Sequence, residues 1–415
     1  MKVVISSFGS SGDFNPCLGL GRALLRKGAE VIFLSNPFYE KKITDAGLTF
    51  FPAGPYWDVF QEIQSDPAYL HPRRGPKKVW KMVLKTVPVM YSAMTDLMAR
   101  HKPDMAACHI LEFGGMMASI NHNIPYAVLC PNPMSYFNKK EPGYFNFHEY
   151  PYWVRRLQAN ASHALMNIAF KYSLKPHCQK NNIPNAFDSI DQLFTKAATN
   201  LGFWSTLFRD AYADDPPNSR ICGFVRDAHV CDWETVPDEI LDLFNGPVKP
   251  IVVGLGSTAS LHGDMIYQHT ARACVQLRRP CLLVGKNLFK YAIPEKGILA
   301  IDFAPYGWIF PRAAMVIHHG GVNTTAETLR AGVPGLVVPH GYDQFDNAIR
   351  TAHLGIAKYI KIAHITTDKY IAMIRSILED TWMHDRAKDF AGQLQSLPEG
   401  AECASNAIIE AINKS

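Results

Sequence analysis

The stretch HHGGVNTTAETLRAGVPGLVVPHGYDQFDN, residues 318–347, decides the fold. It follows the apolar run AMVI. A loop of histidine and glycine comes first, then the helical pattern TTAETLRA, then a second apolar run, GLVVP, that leads to Asp343-Gln344. Strand, turn, helix and strand in this order build a parallel sheet. Asn323 or Thr324 reads as the N-cap, so the turn offers unpaired N–H groups and the positive end of a helix dipole. The glycines let a ligand approach the backbone closely. His319, Gly321, Asn323 and Thr324 therefore form a candidate site for a phosphate or diphosphate; an ordinary strand-to-helix turn with a capping threonine is the alternative. Glu327, one turn into the helix, suits ribose hydroxyls, or simply an acid near a helix start. Asp343 and Gln344 join a carboxylate to a carboxamide, a pair that grips vicinal hydroxyls of a sugar, or else they cap the next helix. Phe303, after ILAID, is a candidate to stack on a base, or a core residue.

The same alternation extends outward. KVVISSF (2–8), EVIFLS (30–35), DMAACHI (104–110) and YAVLC (126–130) read as strands, with a helix from Asn15 to Lys27 after the first. Residues 131–185 break the rhythm with Pro, Tyr, Phe and Trp, and read as loops plus helices over one end of a sheet. DDPPN (214–218) reads as loop and Val236–Asn245 as a short helix. Alternation then restarts with IVVGL (251–255), CLLVG (281–285), ILAI (298–301), AMVIH (314–318) and GLVVP (335–339). A chain of 415 residues exceeds one ordinary core. The expected organisation is α/β, with two Rossmann-like domains facing each other across a cleft and ligands at the carboxyl ends of the strands. Residues 1–215 form the first domain, 216–249 a linker, 250–385 the second domain and 386–415 C-terminal helices.

Composition narrows the class. Hydrophobic residues make up 47% and charged residues 19%, as in an ordered globular chain. The net charge of +5 is spread among interspersed acids and bases, so no nucleic-acid partner is expected. Nine cysteines without a C-x-x-C pair suggest reduced thiols rather than disulfides or a zinc site. No apolar run approaches the ~20 residues of a membrane span, and MKVVISSFGSSGD reads at once as strand and loop. The expected location is the cytoplasm. HPRRGPKKVWK (71–81) sets Arg73, Arg74, Lys77, Lys78 and Lys81 beside Trp80, which suits peripheral contact with an anionic inner membrane face; a solvated basic loop is the alternative.

Two more glycine loops carry candidate chemistry. VVGLGSTAS (252–260) follows a strand and fits G-x-G-x-x-A, so an NAD site must be weighed. Such a site wants an acid about 20 residues on, at the end of the next strand. That strand ends CLLVGKN, with no acid. SFGSSGDFNPCLGLGRAL (7–24) closes the first strand. Its helix is expected to begin near Asn15-Pro16, since proline suits a first turn. Asp13 is then held in a loop at the carboxyl end of the sheet, as a base or as a helix-capping aspartate.

At this point the residues resemble a family. H-x-G-x-N-[ST]-x-x-E, with G-V-P and P-x-x-x-D-Q after it, is similar to the donor signature of family 1 glycosyltransferases of the GT-B fold. His319, Gly321, Asn323, Thr324, Glu327, Gly332, Val333, Pro334, Pro339, Asp343 and Gln344 match. The plant form begins Trp-x-Pro-Gln; here the run is Phe303-Ala304-Pro305-Tyr306, which keeps an aromatic and loses the glutamine. GS-x-GD at the first loop, the Gly-Ser-Thr loop and DQFDN (343–347) resemble the bacterial branch. That branch includes antibiotic glycosyltransferases, sterol glucosyltransferases and, most similar overall, the rhamnosyltransferase of rhamnolipid synthesis.

The resemblance implies an inverting transfer of a hexose from a UDP- or dTDP-sugar to a hydroxyl of a lipophilic small-molecule or lipid acceptor. Asp13 is the implied general base. His319, Asn323 and Thr324 would hold the diphosphate, with Ser257 and Thr258 across the sheet edge. Glu327 would meet the ribose, and Asp343 and Gln344 the donor sugar. Phe14, Tyr136 and Phe137 are candidates to touch the acceptor, within an aromatic wall that includes Tyr144, Phe145, Phe147, Tyr150, Tyr152 and Trp153. The sequence holds no D-x-D triplet. No metal and no cofactor are expected, since the nucleotide sugar is a co-substrate. The helix Ala401–Asn413 resembles one that crosses back to the first domain. A catalytically inactive nucleotide-sugar- or lipid-binding subunit of the same fold is the alternative.

Overall fold

The computed structural model describes residues 1–71, 74–136, 150–226 and 236–414, and of Thr258 only the backbone. The chain divides into two compact units. The first is Met1–Val59, Pro76–Asp227 and Pro398–Ser415; the second is Phe60–Gly75 and Ala228–Leu397.

The first unit is built on seven parallel strands in the order β3-β2-β1-β4-β5-β6-β7. They are β1 (Lys2–Ser6), β2 (Glu30–Ser35), β3 (Thr49–Pro52), β4 (Met105–His109), β5 (Tyr126–Cys130), β6 (Thr199–Gly202) and β7 (Ser219–Ile221). The central strands are buried along almost their whole length, as expected where helices cover both faces of a parallel sheet. The second unit has six parallel strands in the order β10-β9-β8-β11-β12-β13: β8 (Ile251–Gly254), β9 (Cys281–Val284), β10 (Ile298–Ile301), β11 (Met315–His318), β12 (Gly335–Val337) and β13 (Ala357–Tyr359). Counted within its own unit, the first sheet runs 3-2-1-4-5-6-7 and the second 3-2-1-4-5-6. The order reverses between β1 and β4 in one sheet, and between β8 and β11 in the other. In such sheets ligands sit at the carboxyl ends of the strands at that reversal.

Four strands were not expected. β3, β6, β7 and β13 are short, and their sequences (TFFP, TNLG, SRI, AKY) carry polar residues or proline. In β6 the buried Asn200 is accommodated because its amide donates to Phe194 O at 3.1 Å and Pro217 O at 2.6 Å. Residues 152–180 form one 29-residue helix, where loops plus helices were expected. The basic stretch 71–81 is not a loop from Gly75 onward; it opens a helix, Gly75–His101. Trp80 packs inward there, its indole N–H donating to Ser173 Oγ at 2.9 Å. Arg73 lies outside the described residues.

The boundaries differ from the expected ones in three places. The expected linker 216–249 is divided, with 216–226, including β7, in the first unit and 236–249 in the second. Residues 60–75 join the second unit. The return to the first unit begins at Pro398, not at 386: the helix Thr381–Gln395 stays against the helix Val322–Ala331, and only the helix Gly400–Ile412 packs on Ser11–Arg26. Glu402 takes Arg26 at 2.7 Å and Lys27 at 2.9 Å, and Glu410 takes Arg220 at 2.7 Å. These exposed and partly exposed pairs add little, so the apolar seam under them, including Ala404, Ala407 and Ile408, supplies most of the anchoring.

Candidate functional site

The two sheet reversals carry two clusters, one in each unit. In the first unit the helix after β1 starts at Ser11, one turn earlier than expected, and Pro16 lies inside it. The cause is a capping box. Asp13 Oδ2 accepts the Ser10 N–H at 3.0 Å and the Ser10 hydroxyl at 2.9 Å, while Ser10 Oγ accepts the Gly12 N–H at 3.2 Å. Asp13 is thus fixed in the first helical turn rather than in a loop. Tyr39 clamps the preceding turn by donating its hydroxyl to Gly9 O.

The other carboxylate oxygen faces β4. His109 Nε2 stands 3.4 Å from Asp13 Oδ1. His109 Nδ1 accepts the Leu111 N–H at 3.3 Å, so the neutral ring carries its proton on Nε2, toward Asp13. The His109 side chain is 2% exposed and that of Asp13 30%; the carboxylate is the member that a substrate can reach. Burial raises the affinity of Asp13 for a proton, but His109 and the two bonds from Ser10 more than offset it, and the net shift is downward. Behind His109, buried Glu112 accepts the Ser6 hydroxyl at 2.6 Å and the Gly115 N–H at 3.1 Å. Burial still pushes its carboxyl up to about 7. The sequence placed His109 and Glu112 near one another; it could not show that β4 lies against β1, which is what sets His109 on Asp13.

If Asp13 acts as a base, this geometry makes His109 its positioning residue, with a measurable signature. In the free protein the acidic limb of kcat/KM set by Asp13 is expected below the ordinary aspartate value of about 3.9. Activity that depends on ionised Asp13 falls as pH drops through that limb. His109→Leu removes a group that favours the carboxylate, so the limb moves to higher pH; His109→Gln, which can still donate, moves it less. An unmoved profile in His109→Leu would assign the histidine to packing alone.

In the second unit, His319 follows β11 at the head of the helix Val322–Ala331. The N-cap is Gly321, not Asn323 or Thr324, and no side chain caps it. Asn323 and Thr324 are the second and third residues of the helix. The reason for glycine is steric. A Cβ at Gly321 would lie 2.3 Å from His319 Nε2, and one at Gly256 would lie 2.6 Å from His319 Cε1. Gly256 also holds a φ of +68°, which a side chain rarely adopts. The imidazole is therefore seated between the glycine loop after β8 and the glycine turn after β11, two neighbouring strands paired at Gly254 and His318. His319 is 7% exposed, and its Nδ1 has no hydrogen-bond partner among the described residues. Burial, with His318 and His340 nearby, holds its pKa well below the usual range, so the ring is neutral near pH 7.

The other candidates fall around this pair of loops. Ser257 is exposed in the short helix Gly256–Ala259, and the side chain of Thr258 lies outside the described atoms. Phe303 is 66% exposed, so it is not core and its ring is open to stacking. Glu327 is half-buried and receives Arg330 at 2.6 Å. Asp343 is the N-cap of the helix Gln344–His353 and accepts from Asn347 Nδ2 at 2.9 Å. Asn347 Nδ2 also donates to Gly320 O at 2.9 Å, tying this helix to the His319 turn. Gln344 spends its carboxamide oxygen on the His340 N–H at 2.8 Å and the Gly341 N–H at 3.2 Å; its NH₂ is the end not used in those bonds. The Asp343-Gln344 loop is braced by residues 60–75, through a hydrogen bond from the Tyr342 hydroxyl to Tyr69 O. Sequence patterns gave no signal for that brace. Tyr306 occupies the place of the plant glutamine, stacks on Phe310 at 4.3 Å and lies against Gly254. It is a wall of the loop rather than a ribose ligand.

The expected acceptor wall is not assembled by the described residues. Phe14 is fully buried, stacked on Tyr39 at 4.0 Å. Tyr136 is buried, donates to Asn200 O at 3.1 Å and packs edge-on to Trp204 at 4.9 Å. Both are core and offer no surface to a ligand. Phe137, Tyr144, Phe145 and Phe147 lie outside the described residues, and Tyr150, Tyr152 and Trp153 are exposed. The NAD reading also weakens on structure: the helix that opens at Gly256 has four residues, too few to present a dipole to a pyrophosphate. Among the described residues no group of three His, Cys, Asp or Glu side chains could hold a metal ion.

Comparison with known proteins agrees with this picture. Residues 288–410 match the family described as "Erythromycin biosynthesis protein CIII-like, C-terminal domain". The chain is 33% identical over 180 residues to O-mycaminosyltylonolide 6-deoxyallosyltransferase of Streptomyces fradiae, a match spanning 43% of this chain and 42% of that one. It is 24% identical to an uncharacterised glycosyltransferase of Mycobacterium tuberculosis over 95% of both. Sterol 3-beta-glucosyltransferase of Candida albicans is 22% identical, and this chain spans 27% of its length. Among solved structures, the glycosyltransferase of kitacinnamycin superposes with a TM-score of 0.73 at 19% identity over 99% of each chain. Glycosyltransferase VinC in complex with dTDP superposes with a TM-score of 0.70 at 19% identity over 100% of each. The resemblance drawn from residues 303–347 is borne out: the fold is GT-B, and the homologues are glycosyltransferases.

Proposed function

We propose that this chain, a GT-B relative of the antibiotic glycosyltransferases, moves a hexose from a dTDP- or UDP-sugar to a hydroxyl of a lipophilic acceptor. The observation that carries the reading is the seat of His319 at the head of an uncapped ten-residue helix, at the reversal of the second sheet. An imidazole beside the first amides of a helix suits a diphosphate. The S. fradiae relative is named for a deoxyallosyl group, and a structural neighbour is a complex with dTDP; both support a pyrimidine-nucleotide hexose as donor.

The chemistry is a single displacement. The acceptor oxygen attacks the anomeric carbon, its proton passes to Asp13 Oδ1, and the bond from that carbon to the diphosphate oxygen breaks. One displacement inverts the centre, so an α-linked donor gives a β-linked product. Charge developing on the leaving diphosphate meets the neutral His319 ring and the N–H groups of residues 322–324. Fixed dipoles aimed at a developing anion lower the barrier without reorganisation, and this is the task that a metal ion performs elsewhere. Glu327 and exposed Phe303 are the ribose and base contacts of this reading, and Asp343 with the Gln344 amide the sugar contacts. No described helix is long and apolar enough to cross a membrane.

Calorimetry of the purified chain against dTDP, UDP and NADH tests the donor site. The expected result is heat with one pyrimidine diphosphate and none with NADH. Silence with both diphosphates and heat with NADH would overturn the reading and return the Gly254–Ala259 loop to a dinucleotide site.

A further inference from the structure

The helix Tyr152–Lys180 is packed over only part of its length. Its buried side chains are Phe170, Leu174 and Cys178, all toward its C-terminal end. Phe170 meets Trp80 and Phe113, with ring centres 5.9 and 5.3 Å apart, and Cys178 Sγ lies 3.8 Å from Met117 Sδ. The first 18 residues, 152–169, bury no side chain. Yet they are not a polar surface. Trp153 is 68% exposed, Leu157 65%, Leu165 65%, Ile168 54% and, further along, Tyr172 74%. At about 100° per residue these five fall within an arc of about 120° on one side of the helix. The helix therefore has a second apolar stripe that no described residue of the unit covers. A contiguous exposed stripe of this kind marks a contact surface.

Charge selects the partner. The helix carries Arg155, Arg156, Lys171, Lys175 and Lys180 and no acidic residue. Lys171 and Lys175 fall at the edge of and within the apolar arc and are exposed. Asp191, an acid that touches this helix, is engaged by His163 at 2.9 Å and Asn167 at 3.2 Å, which lie outside the arc. On the helix packed beside it, Lys77, Lys81 and Lys85 form an exposed row at four-residue spacing. Large apolar side chains with a tryptophan, flanked by lysines and free of acids, have the composition of a helix that lies in a membrane interface. The lysine stems reach along apolar surface while their ammonium groups stay with anionic headgroups.

We propose that the face of the helix Tyr152–Lys180 bearing Trp153, Leu157, Leu165, Ile168 and Tyr172 docks on an anionic lipid surface. This inference moves the membrane contact from residues 71–81, where Trp80 points inward, to a different element. It uses nothing from the donor site and stands apart from the transferase reading.

Flotation of the full chain with vesicles tests it. Vesicles of phosphatidylcholine with 30% phosphatidylglycerol (about that fraction, as in standard anionic mixtures) are compared with pure phosphatidylcholine. The chain is expected to float with the anionic vesicles, and the bound fraction to fall severalfold as salt rises from about 50 to about 300 mM. Trp153→Ser with Leu157→Ser and Leu165→Ser abolishes flotation while the melting temperature and dTDP or UDP binding stay unchanged. Lys171→Glu with Lys175→Glu removes the preference for anionic vesicles. No flotation at low salt overturns the proposal. So does a dimer in light scattering that the triple variant turns into a monomer, because the stripe then belongs to a second copy of this chain.

Discussion

Asp13→Asn is expected to lower kcat by about 10²–10⁴-fold, the range a general base supplies, while the affinity for the nucleoside diphosphate and the melting temperature stay close to the original values. The separation is built into the geometry. Oδ2 of Asp13 accepts two bonds from Ser10, and an asparagine oxygen can accept the same two. The capping box, worth ~0.5–2 kcal/mol, survives the change. What is lost is the charge on Oδ1, the oxygen that faces His109 and is partly open. Ser10→Ala is the reciprocal variant: it weakens the cap and leaves the carboxylate. A capping aspartate in a non-catalytic binding subunit predicts the reverse pattern, with Ser10→Ala harmful to stability and Asp13→Asn indifferent in every assay. Turnover of Asp13→Asn near the wild-type rate would remove the aspartate from the reaction. The downward shift of its pKa has a definite sign for stability. The contribution of ionised Asp13 is present above the ordinary value near 3.9 and is lost as pH falls through the lower value of the folded state.

The parts of this arrangement that could be read in the sequence are those carried by local pattern. β2, β5 and β9 lie where the apolar runs put them, because a strand buried on both faces needs a continuous run of apolar residues. Spacing set His319, Asn323, Thr324 and Glu327 on one strand-turn-helix unit and Asp343 and Gln344 at the end of the next strand. Pairing between distant strands was not legible. His109 needs β4 beside β1, and the brace from Tyr69 to Tyr342 needs residues 60–75 on the second unit. Aromatic content misled: Phe14 and Tyr136 fill the core, while Trp153 and Tyr172, on a helix with little buried surface, are outside. The N-cap was misplaced for a related reason. Asn323 and Thr324 are the better capping residues by type, but the ring of His319 leaves room only for glycine at 321.

That steric fact leads to the second large effect. Gly321→Ala, a change of one methyl group at an ordinary φ of −60°, is expected to cost as much donor affinity as His319→Ala. The new Cβ would stand 2.3 Å from Nε2 and 2.8 Å from Cε1 of His319. The ring has little room to shift, because the Gly256 turn also lies close to its Cε1. It must leave its seat, and with it goes the hydrogen bond that the ring would give the diphosphate. A bond to a charged group contributes ~1.5–3 kcal/mol, so each single variant should weaken dTDP or UDP binding roughly 10- to 150-fold. The double variant is the decisive member. Once His319 is alanine, the methyl at 321 has nothing to displace, and Gly321→Ala should add almost nothing further. Calorimetry on the four proteins gives the coupling directly. Additive losses would mean that the glycine serves the backbone approach of the ligand and not the imidazole, and that His319 holds its place for some purpose other than the donor.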